Sequence, residues 1–361
     1  MMRATGRFPA SARRAAMYFG LCVLLSGGAF GKRKDDVVVM NNGDRFTGEI
    51  KSLAYGELVF KSDYMEDSVR LDWKKVKVLE SKDEFIITLS NGDRVTGVVR
   101  QENTDSGDNG NVKTFKIASG EASVEVPPRD VIMLGPQENS LWNQLTGSIS
   151  YGFGFASGNS ATNSSLAADV AFNGEKNSVA LAGSSQFDSQ ANAKNTNRLT
   201  FDSQYARMLT NHWLAAGLFS LLKSNQQELN LRSTYGGGIG RKLVQSDKTA
   251  LTVLGGIAYS HENYTVQPDN IEQIRSNAEA LAGVTFSTFR FSKLSFRSQS
   301  LVFPSLSDLG RLRLSSQSNL RIELIRNFNW NFQLYENYDT RPPVHAPKND
   351  LGITTSVGWT F

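Results

Sequence analysis

From Gly147 to Phe361 the chain repeats one arrangement, runs of roughly ten residues in which apolar side chains alternate with small or polar ones. Successive side chains on a β-strand point to opposite faces, so alternation over that length gives each run one apolar face and one polar face. Twelve such runs fit: Gly147 to Ala156, Thr162 to Phe172, Ser178 to Asp188, Arg198 to Met208, Trp213 to Lys223, Leu229 to Lys242, Thr249 to Glu262, Asn277 to Thr288, Lys293 to Phe303, Leu312 to Ile325, Phe328 to Tyr338 and Asp350 to Phe361. Their lengths suit tilted strands that cross a bilayer, which take about 9 to 11 residues. An even number returns the chain to the side on which it entered.

The connections carry a second pattern. Asn173 to Asn177, Leu209 to His212, Leu243 to Lys248, Phe289 to Ser292 and Arg326 to Asn327 are short. Between them fall Ser189 to Asn197, Ser224 to Glu228, Asn263 to Ser276, Pro304 to Arg311 and Asp339 to Asn349, most of them longer. Outer-membrane barrels alternate short periplasmic turns with longer extracellular loops, so the amino-terminal half is expected in the periplasm. Four of the five tryptophans, Trp142, Trp213, Trp330 and Trp359, fall near the short-turn end, where an interfacial aromatic girdle belongs. In the last run Ile353, Thr355, Val357, Trp359 and Phe361 share one face, and the chain stops on that aromatic residue.

The first half reads differently. Asn41-Asn42-Gly43-Asp44-Arg45-Phe46-Thr47-Gly48 recurs as Ser90-Asn91-Gly92-Asp93-Arg94-Val95-Thr96-Gly97, displaced by 49 residues. Each copy places a β-branched run before Asn-Gly, predicting a tight hairpin turn whose central residues take positive φ. The repeat-turn residues Asn42, Gly43, Asp44, Asn91, Gly92 and Asp93 are accounted for by turn chemistry and solvated charge. Five short strands in each copy predict a small SH3-like or Sm-like barrel. Residues 32–84 form the first module, 85–136 the second, 137–146 a linker and 147–361 the barrel.

Composition changes this picture at one point. Residues Met1 to Gly31 carry Arg3, Arg7, Arg13 and Arg14, then an apolar stretch from Ala15 to Leu25, then small residues, the layout of a cleaved export signal. That stretch is shorter than the roughly 20 residues of a membrane helix. The net charge of +4 comes from those four arginines; without them 35 basic residues face 35 acidic ones. Nucleic acid is therefore not an expected partner. Cys22, the only cysteine, lies in the leader, so no disulfide and no cysteine metal site is expected in the exported chain.

The segment Trp142-x4-Gly147-Ser-Ile-Ser-Tyr-Gly152-x5-Ser157-Gly158-Asn159-Ser160 resembles the opening of the salt-induced outer-membrane protein family, a β-barrel family of unknown function in Gram-negative envelopes. So do Leu229-Asn230-Leu231-Arg232-Ser-Thr-Tyr-Gly236-Gly-Gly238-Ile-Gly240 and Gly255-Gly256-Ile257-Ala258-Tyr259. The resemblance spans Trp142 to Phe361 and implies a barrel in the outer membrane, with no catalytic residue to carry over. Ile353, Val357, Trp359 and Phe361 look like the signal read by the barrel-assembly machinery, which becomes an expected partner beside outer-membrane lipid.

Chemistry is sparse. A lipid-modifying barrel enzyme, phospholipase-like or deacylase-like, needs a serine activated by a histidine that a third group orients. His212, His261 and His345 show no His-x-Ser spacing and no metal-ligand spacing, so no enzyme, cofactor or metal is expected. If Leu294, Phe296, Leu312, Leu314, Leu320, Ile322 and Leu324 face lipid, alternation turns Arg297, Arg313, Arg321 and Glu323 inward, and Arg198, Asp202, Arg232 and Glu279 by the same count. A charge on the lipid face near the midplane costs about 2 to 4 kcal/mol, which enforces that orientation. These eight are the candidate lumen-lining residues.

The expectation is an all-β chain, a transmembrane antiparallel β-barrel of about twelve strands preceded by two SH3-like or Sm-like periplasmic β-modules. Its expected role is structural or that of a narrow solute channel with a polar, partly Arg-lined lumen, the module docking to a periplasmic envelope component or to peptidoglycan. The alternatives are a lipid-modifying barrel enzyme and a soluble exported β-protein.

Overall fold

The computed structural model describes residues 35–102, 114–119, 122–137, 145–156, 161–174, 176–189, 195–209, 212–265, 274–290, 293–325, 327–343 and 346–361. The expected export signal with Cys22, Trp142 in the linker, Ser157 to Ser160 and His345 lie outside them.

Each amino-terminal copy supplies five strands. The first gives β1 (Asp36–Met40), β2 (Arg45–Ala54), β3 (Glu57–Lys61), β4 (Val69–Asp72) and β5 (Val76–Glu80); the second gives β6 (Glu84–Leu89), β7 (Arg94–Glu102), β8 (Thr114–Ser119), β9 (Ala122–Val126) and β10 (Val131–Pro136). Both copies pair their strands in the same order, and both insert a single 3-10 turn, Trp73–Lys75 or Pro128–Asp130, before the fifth strand. The copies join in one ten-stranded sheet. Leu134 of β10 pairs with Leu53 of β2, and the Ser81 amide reciprocates by donating to the Val99 carbonyl at 3.1 Å. Val38, Ile50, Leu58 and Phe60 from the first copy and Phe85, Ile87, Phe115 and Ile117 from the second are all buried in one shared core. Domains this small bury too little surface to be robust alone, which is the physical reason to share.

The two Asn-Gly turns are one residue wider than the sequence pattern predicts. Gly43 donates back to Met40 at 3.0 Å and Gly92 to Leu89 at 2.9 Å, so both asparagines of the first turn sit inside it and only the glycine takes positive φ, +94° and +88°. That is a type I turn closed by a glycine bulge. Asn42 and Asn91 each accept from the amide of the aspartate two residues on, at 3.1 and 3.0 Å, and donate to its carboxylate, at 2.7 and 2.8 Å.

The remaining strands are β11 (Leu145–Ala156), β12 (Ala161–Asn173), β13 (Asn177–Ser189), β14 (Thr196–Met208), β15 (Trp213–Ser224), β16 (Leu229–Gln245), β17 (Thr249–Tyr264), β18 (Ile274–Arg290), β19 (Leu294–Pro304), β20 (Leu312–Ile325), β21 (Phe328–Asp339) and β22 (Asn349–Thr360). They close into a twelve-stranded antiparallel barrel, each strand beside its sequence neighbours and β22 beside β11. Every backbone edge in hydrocarbon needs a partner, and closure supplies it. Ile149, Tyr151, Phe153, Leu166, Tyr235, Ile257, Leu334 and Ile353 stand exposed on the outer wall. Trp213, Trp330 and Trp359 are exposed at the short-turn end.

Candidate functional site

The barrel interior is filled in layers. At the long-loop end the segment 305–311 folds inward and carries Arg311, whose side chain is wholly buried. Its Nη2 donates to Glu262 Oε2 on β17 at 2.8 Å and to Asp339 Oδ2 on β21 at 2.5 Å. Arg232 on β16 joins through Nε to Glu262 Oε1 at 2.5 Å, and Tyr264 donates to Glu262 Oε2 at 2.6 Å. Beside this cluster Arg313 holds Glu279 in a two-pronged bond of 2.7 and 2.5 Å, with Phe303 under its guanidinium. Arg198 bonds Asp350 at 2.6 Å and lies 4.3 Å over the Tyr335 ring. Four arginines thus meet four carboxylates. Each charge in a low-dielectric interior is tolerable only because a counter-charge and further hydrogen bonds surround it.

Below this layer Leu218, Leu254, Ala258, Leu281, Leu301 and Phe303 form an apolar cluster inside the barrel. A cavity of about 100 Å³ adjoins it, lined by Arg198, Asp202, Arg232, Arg313, Phe303 and Tyr335 among others. Asp202 faces Ser220 across the β14–β15 pair. Gln204 then bridges from β14 to Gln299 of β19 at 3.1 Å, a span across the interior.

Nearer the short turns, Arg321 donates to Ser148 Oγ at 3.0 Å and to Asn331 Oδ1 at 3.2 Å. Arg297 is exposed and interacts electrostatically with Tyr55 of the amino-terminal module. Glu323 receives Arg70 of the amino-terminal module at 2.9 and 3.1 Å. The β2–β3 turn presses its Tyr55 ring on Phe289, with centroids 3.4 Å apart. The second repeat turn also touches the barrel: the Arg94 guanidinium donates to the Gly174 carbonyl at 2.5 Å, and His212 lies 3.2 Å from the Ser90 carbonyl. Arg94 is therefore a docking residue, where the sequence implies solvated charge; burial lowers its pKa below the ordinary arginine value. The equivalent turn of the first copy is exposed.

Of the eight candidate residues, Arg198, Arg232, Glu279 and Arg313 come together in the long-loop charge layer, Asp202 lines the cavity, and Arg297, Arg321 and Glu323 sit lower. Sequence reasoning missed Glu262, Tyr264, Arg311, Asp339 and Asp350. Glu262 shares the parity of Ala258 and Ser260, so alternation could have found it; Arg311 lies in a loop, where alternation carries no information.

His261 faces outward and its Nδ1 lies 2.9 Å from Ser276 Oγ. No carboxylate or amide is bonded to the other ring nitrogen among the described residues, which leaves the pair without an orienting third group. The described residues also contain no group of three or more His, Cys, Asp or Glu that could hold a metal ion.

A closed antiparallel barrel with an apolar outer wall and a charged, buried interior defines a protein of the outer-membrane β-barrel class. Residues 149–361 match the family described as protein of unknown function, DUF481, and the chain belongs to that family. Among solved structures it is similar to the translocator domain of autotransporter NalP from Neisseria meningitidis, at 17% identity and a TM-score of 0.36, covering 60% of this chain and 87% of that one. It is also similar to the NanC porin, at 12% identity and a TM-score of 0.35, covering 60% and 98%. A bacterial polysaccharide outer-membrane secretin matches at 9% identity and a TM-score of 0.32, covering 62% and 99%. No curated protein matches the sequence.

Proposed function

We propose that the protein resides in the outer membrane with its short turns and amino-terminal module in the periplasm, and that its barrel is a sealed structural element of the envelope, neither an open pore nor an enzyme. The observation that carries this is Arg311, wholly buried and clamped between Glu262 and Asp339, which closes the long-loop end with a charge-balanced plug. The module is tied to the other end through Arg70 and Arg94. Of the sheet's edge strands β4, β5 and β9, β4 carries Arg70 to the barrel, and β9 is the edge the module would offer to a periplasmic envelope component or to peptidoglycan.

A second reading, a narrow channel for small anions, is favoured by Arg297, an exposed inward cation at the short-turn end near Tyr55. Purified protein in planar bilayers separates the two. The sealed barrel predicts no steady conductance from the native chain; a steady anion-selective conductance that Arg297→Ala abolishes would establish the channel instead. Serine-directed probes and phospholipid incubation test the absence of catalysis, and release of fatty acid lost in Ser276→Ala would contradict it.

A further inference from the structure

The two repeat copies divide the short-turn end of the barrel between them. The second copy holds one arc: the Arg94 guanidinium bonds the Gly174 carbonyl in the β12–β13 turn, and the Ser90 carbonyl lies 3.2 Å from His212 in the β14–β15 turn. The first copy holds the other arc. A Cβ on Gly56 would stand 2.9 Å from the Asp247 carboxylate in the β16–β17 turn. Tyr55 stacks on Phe289 at the end of β18, and Arg70 pairs with Glu323 near the end of β20. Each of the five short connections is thereby met by the module. In a closed ring of twelve strands the β12–β13 and β18–β19 turns are six strands apart, on opposite rims. Arg94 grips one and Tyr55 the other, so the fused sheet between them crosses the whole mouth.

The residues at these contacts are held at a conformational cost. The β2–β3 loop has two residues, Tyr55 and Gly56, both at positive φ, +58° and +75°. Such a type I′ turn favours Asn-Gly, and an aromatic residue in the left-handed region is strained. The Tyr55 ring is not part of the module core; it lies on Phe289 instead. Arg297 and Arg321, which point into the lumen, both act electrostatically on its phenol. Across the junction His212 also takes positive φ, +66°, and a Cβ on Gly92 would meet its ring at 3.4 Å. Of the four non-glycine residues at positive φ among those described, one from each body is therefore a docking residue. Strain retained at a contact, where a relaxed residue would build the same turn, points to a role for that contact.

The docking is nonetheless shallow. Every buried apolar cluster among the described residues lies wholly in the module or wholly in the barrel. A ring stack, an exposed ion pair and hydrogen bonds at the turns cross the junction instead. Small polar interfaces of that kind let domains move. The long-loop end is of another kind, because Arg311 is wholly buried there between two carboxylates.

We infer that the duplicated module is a lid: docked, it closes the short-turn mouth, and lifted, it opens a blind chamber that the Arg311 clamp keeps shut at the far end. Duplication supplies the width, since each copy reaches only part of the rim. The closure follows from contacts within the chain. That the lid faces the periplasm rests on the placement proposed above, and the test separates the two.

Gln317 of β20 is exposed and lines the interior cavity beside Asp202 and Arg313, so a thiol there reports on the chamber. In the full chain carrying Cys22→Ser, Gln317→Cys is treated in detergent with a small charged methanethiosulfonate. Tyr64→Cys, on a side chain of the module that is 99% exposed, calibrates the reagent. Releasing the lid by Tyr55→Asn with Arg70→Ala is expected to speed modification of the Gln317→Cys thiol severalfold and to leave Tyr64→Cys unchanged. Asparagine suits the left-handed turn, so the ring is lost and the hairpin kept. Phe289→Ala removes the same stack from the barrel side and should act in the same direction, and a gel shift on boiling shows that each barrel is folded. Equal rates with and without the ties, whether fast or slow, would overturn the lid. Sidedness is read on Tyr64→Cys in cells with a bulky polymer-linked maleimide. Labelling only after the outer membrane is permeabilised is expected; labelling of intact cells would reverse the placement and leave the lid standing.

Discussion

Arg311 reaches from the loop between β19 and β20 to Glu262 on β17, 2.8 Å away, and neither side chain is exposed to solvent. The same guanidinium nitrogen takes Asp339 at 2.5 Å, so one loop residue joins two walls of the barrel. Removing one partner from a buried ion pair leaves the other charge unpaired in a poor solvent, at a cost of about 3 to 5 kcal/mol. Arg311→Ala is expected to lower the thermal unfolding temperature of the detergent-solubilised protein. Adding Asp339→Asn should recover part of the loss, because Asp339 is the carboxylate left without a close cation, Arg232 lying 3.8 Å away, whereas Glu262 keeps Arg232 at 2.5 Å. Additive losses in the double variant would count against the clamp.

Gly48 and Gly97 end the two repeats, and a Cβ on either would press into the backbone of the next strand, at the Lys61 and Ala118 carbonyls, well inside 3.0 Å. Backbone cannot yield as a side chain can, so Gly97→Ala is expected to destabilise the module by about 1 to 3 kcal/mol. Gly135, which has nothing within 4 Å of such a Cβ, is the control. Circular dichroism melts of the full chain with equal midpoints for the two variants would refute the close approach.

Asp36 opens β1, where its carboxylate accepts from the Ile50 amide at 2.8 Å and the Ser81 hydroxyl at 2.5 Å. Burial nonetheless raises its pKa above the ordinary 3.8, outweighing those two bonds. A raised folded-state value means that the folded module binds this proton more tightly than the unfolded chain. The stabilisation is present below the ordinary carboxylate value and is lost as pH rises through the raised one. Asp36→Asn removes the titration and one acceptor together. Its melting temperature should lie below that of the native protein in acid, and the gap should narrow as pH climbs. A gap that holds constant or widens would refute the assignment.

The Tyr55–Phe289 stack and the Arg70–Glu323 pair tie the module to the barrel. Arg70 is 41% exposed, so the ion pair contributes no more than about 1 kcal/mol. The stacked rings contribute about 0.5 to 1.5 kcal/mol beyond area burial. Tyr55→Ala is therefore expected to raise hydrogen exchange in the β2–β3 turn and around Phe289 more than Arg70→Ala does. The reverse ranking would show that charge, not stacking, carries the docking.

The barrel was legible in the sequence because lipid on one side and polar interior on the other impose a period of two on every strand. Where that contrast fades the ends blur: β16 runs on to Gln245 and β18 begins at Ile274, beyond the alternating cores at Leu229 to Lys242 and Asn277 to Thr288. Parity also turned Arg232 and Arg313 inward. It could not name their partners, since Arg311 arrives from a loop and Asp339 and Asp350 sit at strand ends. That β11 and β22 pair over only four positions, from Ser148–Thr360 to Tyr151–Val357, was invisible for a related reason. Register between the first and last strands depends on how ten intervening strands place them, and no local pattern encodes that.

Electrophoretic mobility of the unboiled and boiled protein in dodecyl sulfate tests the central claim most directly, because a closed barrel resists detergent until its hydrogen-bonded wall is melted. The closed barrel from β11 to β22 predicts a compact, displaced band without boiling and a single band at the full chain mass after it. One unchanging band under both conditions, with the native protein partitioning into the aqueous phase, would contradict it.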